Sequence, residues 1–339
     1  MAKFFGIEFA PLAIPFERRI QTLCVVKFVI TFLVGGFGGL ALFIGLFFTR
    51  FYVISLIYMA WYMLDRLSPY RGGKRVAWFR NWLLWKKAAD YFPIKLIKTA
   101  ELDPNKNYIL GYHPHGILGM GGFLHFCTEG TGFSKIFPGI TPHLMVLPGH
   151  FQFPFYRDYL MTSGILPATK GSMDWALSHG PKGRALGLIV GGALEALEAH
   201  AGHYRLKILD RKGFIKIALR NGASLIPVVS FGENNIYEQV ANPPGSRLRN
   251  FQLWMTRLLG FSPPIFYGRG VFQYSFGILP RRRPVNTVVG RPIDVAQIKE
   301  PSLEDIDKLQ RRYLDELLAL FEKYKVQYGE TPECKMEFF

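Results

Sequence analysis

Phe28 to Thr49 runs 22 residues without a charged side chain, and at about 1.5 Å per residue one helix of that length crosses a ~30 Å hydrocarbon core. Gly35, Gly36, Gly38, Gly39 and Gly45 would weaken this helix in water, yet glycines are common in lipid, where they let another element approach closely. After Arg50 a second apolar run, Phe51 to Leu64, has 14 residues, a length that by itself suits a re-entrant or interfacial segment. Arg18, Arg19 and Lys27 precede the pair, and Arg66, Arg71, Lys74, Arg75 and Arg80 follow it, so the positive-inside rule puts both flanks in the cytoplasm. The pattern predicts a transmembrane hairpin over 28–64 that turns near Arg50. A cytosolic segment, 1–27, precedes it and one cytosolic, membrane-associated domain, 65–339, follows. A buried helix pair in a soluble protein is the competing reading. Glu8 and Glu17 come before the apolar run with no short apolar stretch and cleavage site ahead of it, so no removable signal peptide is expected.

Beyond residue 100 the period changes. Tyr108–Leu110, Leu186–Val190, Leu225–Phe231 and Val285–Val289 read as strands, with helical stretches between them. Ser172 is the expected N-cap of a helix ending near His179, and Gly213–Arg220 reads as a helix closed by Asn221-Gly222. This alternation predicts an α/β domain with one central sheet. Pro227 then belongs at an edge or a strand's start, because it cannot donate to a ladder. Ser302 caps a last helix whose Ile306, Leu309, Tyr313, Leu317, Leu320 and Tyr324 share one face, expected to meet the core rather than lipid. Pro-Gly clusters at 242–245 and 262–264 read as loops bounding a lipid-proximal segment.

Composition narrows the function. Hydrophobic residues make up 49% of the 339, with 30 Phe, which excludes a disordered chain. The 41 Lys plus Arg against 25 Asp plus Glu leave a net charge of +16. In so Phe-rich a chain, that charge favours phosphorylated ligands and an anionic membrane face over nucleic acid. Cys24, Cys127 and Cys334 have neither the number nor the spacing for a disulfide framework or a zinc site, which fits a reducing, cytosol-facing compartment.

All eight histidines fall between residues 113 and 203. The sharpest element there is Tyr112-His113-Pro114-His115-Gly116, directly after a predicted strand, where open α/β sheets bind ligands. Pro114 stiffens the loop and Gly116 permits a close approach or unusual turn, so two imidazoles are presented on a firm support. Three readings stay open: a hydrogen-bonded turn residue, above all for His115; half of a metal site, for which no nearby Asp or Glu completes a set; and a general base, with His113 the expected group, that deprotonates an acceptor hydroxyl as it attacks an activated acyl carbon.

The sequence resembles the type-2 diacylglycerol acyltransferase family, which includes monoacylglycerol and wax-alcohol acyltransferases. Tyr91-Phe92-Pro93 is similar to its YFP element and His113-Pro114-His115-Gly116 to its HPHG signature. Pro138 to His143, Arg157-Asp158-Tyr159, Val190 to Leu197, Arg211-Lys212-Gly213-Phe214 through Phe231-Gly232-Glu233, and Phe266 to Gly270 resemble later blocks in order. The resemblance implies an α/β glycerolipid-acyltransferase-like domain that moves a fatty acyl group from acyl-CoA to diacylglycerol, making triacylglycerol. Monoacylglycerol is the alternative acceptor, then a wax alcohol or retinol. The rival from another class is a non-catalytic hairpin protein scaffolding lipid droplets.

The implied setting is the endoplasmic reticulum membrane, multi-pass with a cytosolic catalytic domain, and the lipid droplet. Implied partners are acyl-CoA, a neutral glycerolipid acceptor and membrane lipids, without nucleic acid; homo-oligomerisation stays open. No metal or cofactor is expected, acyl-CoA being a co-substrate. The catalytic candidates are His113, His115 and Glu195, and the substrate-binding candidates Pro114, Gly116, Arg211, Lys212 and Lys216. The wider glycerolipid acyltransferases carry a His-x4-Asp dyad, but Leu118 and Met120 stand where its Asp would fall. Glu195, after a strand and Gly191-Gly192, is the candidate replacement, with a dipole-favoured helix-start Glu as the alternative.

Overall fold

The computed structural model describes residues 3–11, 13–260 and 262–339. Helix α1 (Phe16–Phe47) joins the apolar run to the basic stretch before it in 32 unbroken residues. Its first half supplies domain core: Cys24, Val25, Phe28 and Val29 are buried, and it packs on α3 (Leu83–Tyr91). From Ile30 onward mainly apolar side chains are exposed. Among the described residues α1 is the one helix long and apolar enough to cross a membrane by length and composition. After a turn, α2 (Tyr52–Leu64) folds back, Ser55 Oγ donating to Phe43 O at 2.8 Å. Its 13 residues reach only ~20 Å, short of a hydrocarbon core. The close approach allowed by the α1 glycines is to the domain: Gly35, Gly36 and Gly39 face Tyr156, Phe153 and Pro154. The same segment holds α2, since Tyr58 Oη donates to Asp158 Oδ2 at 2.5 Å and accepts from Phe155 N–H at 2.7 Å.

The rest of the domain is built on one mixed sheet. Its strands are β1 (Lys95–Lys98), β2 (Tyr108–His113), β3 (Thr141–Val146), β4 (Leu166–Pro167), β5 (Arg184–Ile189), β6 (Ser224–Phe231) and β7 (Asn286–Val289). Their spatial order is β1-β7-β6-β2-β5-β3-β4. The five from β6 to β4 run parallel; β7 is antiparallel to β6, and β1 is parallel to β7. The four predicted strands are therefore four of its five innermost members, and β2 and β6, buried on both faces, are apolar almost throughout as parallel strands must be.

Pro227 departs from the expectation, lying mid-strand in β6 opposite Gly111 of β2. The outer partner makes room for it. Val289 pairs with Val228 and Ile293 with Leu225, so four residue steps of the outer chain face three of β6. This bulge bows away where Pro227 has no N–H to offer, while its carbonyl accepts from Gly290 N–H at 2.8 Å.

One sheet face packs Tyr108, Leu110 and Tyr112 against Trp85 of α3, the start of α1, and Phe126 of α4 (Met120–Phe126). The opposite face carries α5 (Lys170–Ser178), α7 (Gly213–Asn221) and α8 (Leu303–Tyr324); short α6 (Gly192–Ala196) follows β5. Thr169, not Ser172, caps α5, because Thr169 has the extended backbone a cap needs and accepts from Ser172 N–H at 3.2 Å. Gly222, left-handed at φ +61°, closes α7. Ser302 and Asp305 form a full capping box on α8, whose Ile306, Leu309, Tyr313, Leu317 and Leu320 are buried. The segment between the two Pro-Gly clusters is the helix Arg247–Leu259, with Phe251, Trp254 and Leu258 exposed.

Candidate active site

β2 ends at His113 in the middle of the sheet, so the following loop stands at the carboxyl end of the parallel strands. Alternation along β2 sends Tyr112 to one face and His113 to the other. His113 is fully buried, its Nε2 3.0 Å from Tyr313 Oη of α8. Tyr313 also donates to Gly111 O at 3.3 Å, leaving its oxygen to accept from Nε2–H. The other ring nitrogen, Nδ1, is buried without a partner among the described residues. Burial pushes the imidazole down to about 3, so His113 is neutral at any physiological pH. Gly111 makes this contact sterically feasible: a Cβ there would collide with the Tyr313 hydroxyl.

His115 differs in exposure and in tautomer. It is only partly buried, and Nδ1 lies 2.8 Å from Gly116 O. A carbonyl can only accept, so Nδ1 carries the proton and Nε2 keeps a free lone pair. Burial lowers its pKa, which keeps Nε2 unprotonated near neutrality. The peptide His113–Pro114 is cis, and Gly116 takes φ +64°.

Two carboxyl groups brace this loop from different strands. Glu195, on α6, accepts from His115 N–H at 2.7 Å through Oε1 and from Lys207 N–H at 3.1 Å through Oε2. It thus holds the loop's backbone, whereas the sequence suggested a carboxylate orienting a ring. Glu233, just past β6, lies against Gly116, where a Cβ would come within 2.7 Å of Glu233 Cγ. Its Oε2 is 2.9 Å from Tyr112 Oη and accepts from Gly121 N–H at 3.0 Å. Burial raises Glu195 to about 8 and Glu233 to about 7, against the pull of these hydrogen bonds. Behind Glu233 a buried chain continues through Tyr112 Oη, Ser230 Oγ, Thr287 Oγ1 and His125 Nε2, with steps of 2.8–2.9 Å.

Glu233, Tyr112 and Tyr313 were not singled out as site residues from sequence. For Glu233 a signal existed: like Glu195 it follows a buried strand and a glycine, here Gly232 at φ +90°. The histidine-rich window is mostly structural. His125 bonds Thr131 and Thr287, His143 bonds Gly164 O, His179 stacks on Trp175, and His200 bonds Asn242.

The basic trio divides. Lys212 pairs with Asp307 at 2.6 Å. Arg211 lies 3.9 Å from Asp210 and helps stabilise the charged form of Glu195. Lys216 is exposed on α7.

The chain matches the family described as "Diacylglycerol acyltransferase" over residues 44–338. It is 47% identical over 333 residues to 2-acylglycerol O-acyltransferase 1 of Bos taurus, covering 98% of this chain and 99% of that one. It is 45% identical to Diacylglycerol O-acyltransferase 2 of Danio rerio, covering 92% and 87%, and 43% identical to that of Homo sapiens, covering 94% and 82%. The 1-acyl-sn-glycerophosphate (LPA) acyltransferase PlsC of Thermotoga maritima superimposes with a TM-score of 0.40 at 12% identity, over 89% of this chain and 98% of that one.

Proposed function

The chain belongs to the diacylglycerol acyltransferase family and is an acyltransferase, and from that premise we propose that it moves a fatty acyl group from acyl-CoA to diacylglycerol, yielding triacylglycerol. Monoacylglycerol is the second acceptor, favoured by the 47% identity to the Bos taurus 2-acylglycerol enzyme. The observation that carries the reading is the tautomer of His115, whose free Nε2 stands at the carboxyl end of the sheet on a partly exposed side chain.

In the proposed step Nε2 takes the proton of the acceptor hydroxyl while its oxygen attacks the thioester carbonyl. The tetrahedral adduct collapses, the C–S bond breaks, and the departing coenzyme A thiolate takes that proton from the imidazolium. His113, with no exposed atom, acts in this reading as a positioning residue through Tyr313, and Glu195 and Glu233 position the loop. Pro114 and Gly116 shape the loop beside the substrate.

The membrane setting we propose is the cytosolic face of the endoplasmic reticulum, with α1 and α2 inserted, both flanks cytosolic and 65–339 as the catalytic domain. A hairpin that enters and leaves on one side also suits the single leaflet around a lipid droplet. Membranes holding the full chain, given labelled acyl-CoA and diacylglycerol, should form labelled triacylglycerol. His115→Ala should lower the rate at least ~10²-fold, the low end of what a positioned base supplies, at equal protein level. Undiminished turnover by that variant would remove His115 from the chemistry.

A further inference from the structure

A cleft of about 1160 Å³ lies between the N-terminal segment, the first turns of α1 and the loop 269–283. Six arginines reach it from three stretches of chain: Arg18 and Arg19, Arg269, and Arg281, Arg282 and Arg283. Acidic neutralisation is sparse. Glu8 is the carboxylate in the lining, and Arg281 is paired outside it with Glu238 at 2.9 Å. Glu17, next to Arg18, is taken by Lys87 at 2.6 Å. Among the described residues no carboxylate forms an ion pair with Arg18, Arg269, Arg282 or Arg283. Arg282 donates to Gln21 Oε1 at 2.5 Å and lies over the Tyr91 ring at 4.2 Å; Arg269 lies over Tyr274 at 4.6 Å and donates to main-chain carbonyls.

Arg269 and Arg282 are thus held by rings and neutral acceptors, with no carboxylate paired to either among the described residues. Burial holds Arg282 below the ordinary arginine range, and the charges of Arg18 and Arg269 push the same way. Converging arginine forks that outnumber the one lining carboxylate, Glu8, form an electropositive site suited to phosphate oxygens. The remaining wall is apolar, with Leu23, Val271 and Phe272 exposed. Backbone packing links the wall of the cleft to the candidate active site. Pro284 O, one residue after Arg283, sits so close to Gly232 that no Cβ would fit, and the next residue, Glu233, touches Gly116.

We propose that this cleft binds the phosphate groups of an acyl-bearing phosphoester, with Arg18, Arg269, Arg282 and Arg283 on the phosphates and the apolar wall along the alkyl part. Two sources share that chemistry: the coenzyme A moiety of the acyl donor, which rests on the acyl-CoA reading above, and the headgroup of an anionic membrane phospholipid, which does not. Arg18 and Arg283 are exposed, so the fold does not depend on them.

The test uses the full chain in phosphatidylcholine nanodiscs, as wild type, Arg18→Gln/Arg283→Gln and the charge-preserving Arg18→Lys/Arg283→Lys. Binding is measured for a labelled non-hydrolysable thioether analogue of palmitoyl-CoA and for phosphatidic acid added to the discs. The Gln pair should weaken one of the two at least tenfold, and the Lys pair much less. Loss of the thioether analogue, with a raised KM for acyl-CoA, identifies the donor as the source. Loss of phosphatidic acid with the analogue still bound identifies the phospholipid. Wild-type binding of both by the Gln pair overturns the proposal. Since binding needs no turnover, a chain without acyl transfer that lost phosphatidic acid in the Gln pair would sink the enzymatic reading and leave the cleft standing.

Discussion

Glu195 and Glu233 give the loop of the candidate site an unusual pH response, because each binds a proton more tightly folded than unfolded. Burial lifts them to about 8 and about 7, while an unfolded Glu titrates near 4.5. A raised folded-state pKa contributes stability that is complete below the unfolded value and is lost progressively from about 4.5 until pH has risen through the folded one, about 7 for Glu233 and about 8 for Glu195. The buried histidines act on the other side. His113, His125 and His143 are held near 3 against an unfolded value of 6.5, so the unfolded chain gains protons below 6.5 that the folded chain refuses. Between about 4.5 and 6.5 the three histidines raise stability with pH faster than the two carboxyls lower it, so these five groups together should place the maximum just below 6.5, with the alkaline decline ending near 8. Glu195→Gln isolates one arm of this. An amide has one acceptor oxygen for two backbone donors, so the variant should be less stable at pH 6 by ~1–3 kcal/mol. The alkaline decline should nevertheless be visibly shallower. Thermal unfolding from pH 5 to 9 reads both effects; parallel curves for variant and wild type would mean that Glu195 does not titrate in this range.

The contact between β2 and α8 is the clearest coupling between elements, because His113 and Tyr313 meet across a strand position that admits only glycine. Gly111→Ala should push the phenol off His113, and Tyr313→Phe should remove its oxygen, each at ~1–3 kcal/mol for stranding a buried ring nitrogen. Both break one contact, so the double variant should be clearly less destabilised than the sum of the singles. Additive losses in denaturant unfolding would show that the two residues act separately. Much of this element-level design is legible in the sequence. The apolar runs of β2, β5, β6 and β7 and the periodic face of α8 report burial, and burial decides strand and helix here. What hides is set by a neighbour's backbone. Pro227 is central because residues 289–293 bulge opposite it, and Thr169 caps because its own backbone is extended there. Likewise HPHG marks the loop, whereas Glu195 and Glu233 reach it by folding from 80 and 117 positions beyond the residues they touch, His115 and Gly116.

At the scale of the whole molecule, the depth of the hairpin follows from where polar groups tie it to the domain. Asp158 bonds Tyr58 in the middle of α2, and the same segment meets α1 at Gly35 to Gly39. Beyond Gly39 only eight residues of α1 remain before its end at Phe47, a reach of ~12 Å. Two full crossings of a ~30 Å core would draw Asp158 well into hydrocarbon, where an acidic side chain costs roughly 2.5–3.5 kcal/mol even on insertion scales. Keeping Asp158 among the headgroups leaves the tip at Thr49 and Arg50 only ~12 Å deep, from where a side chain as long as that of Arg50 can snorkel back toward the headgroups, so the hairpin should enter and return on one side. Carbonate washing should leave the chain in the pellet, since the apolar flank of α1 still needs lipid. In sealed microsomes, added protease should reach both termini, and an Asn-Gly-Thr acceptor inserted at Thr49–Arg50 should remain unglycosylated. Glycosylation of that tip, with both termini still digested, would show two complete crossings and would require the Tyr58–Asp158 bond to open in the membrane.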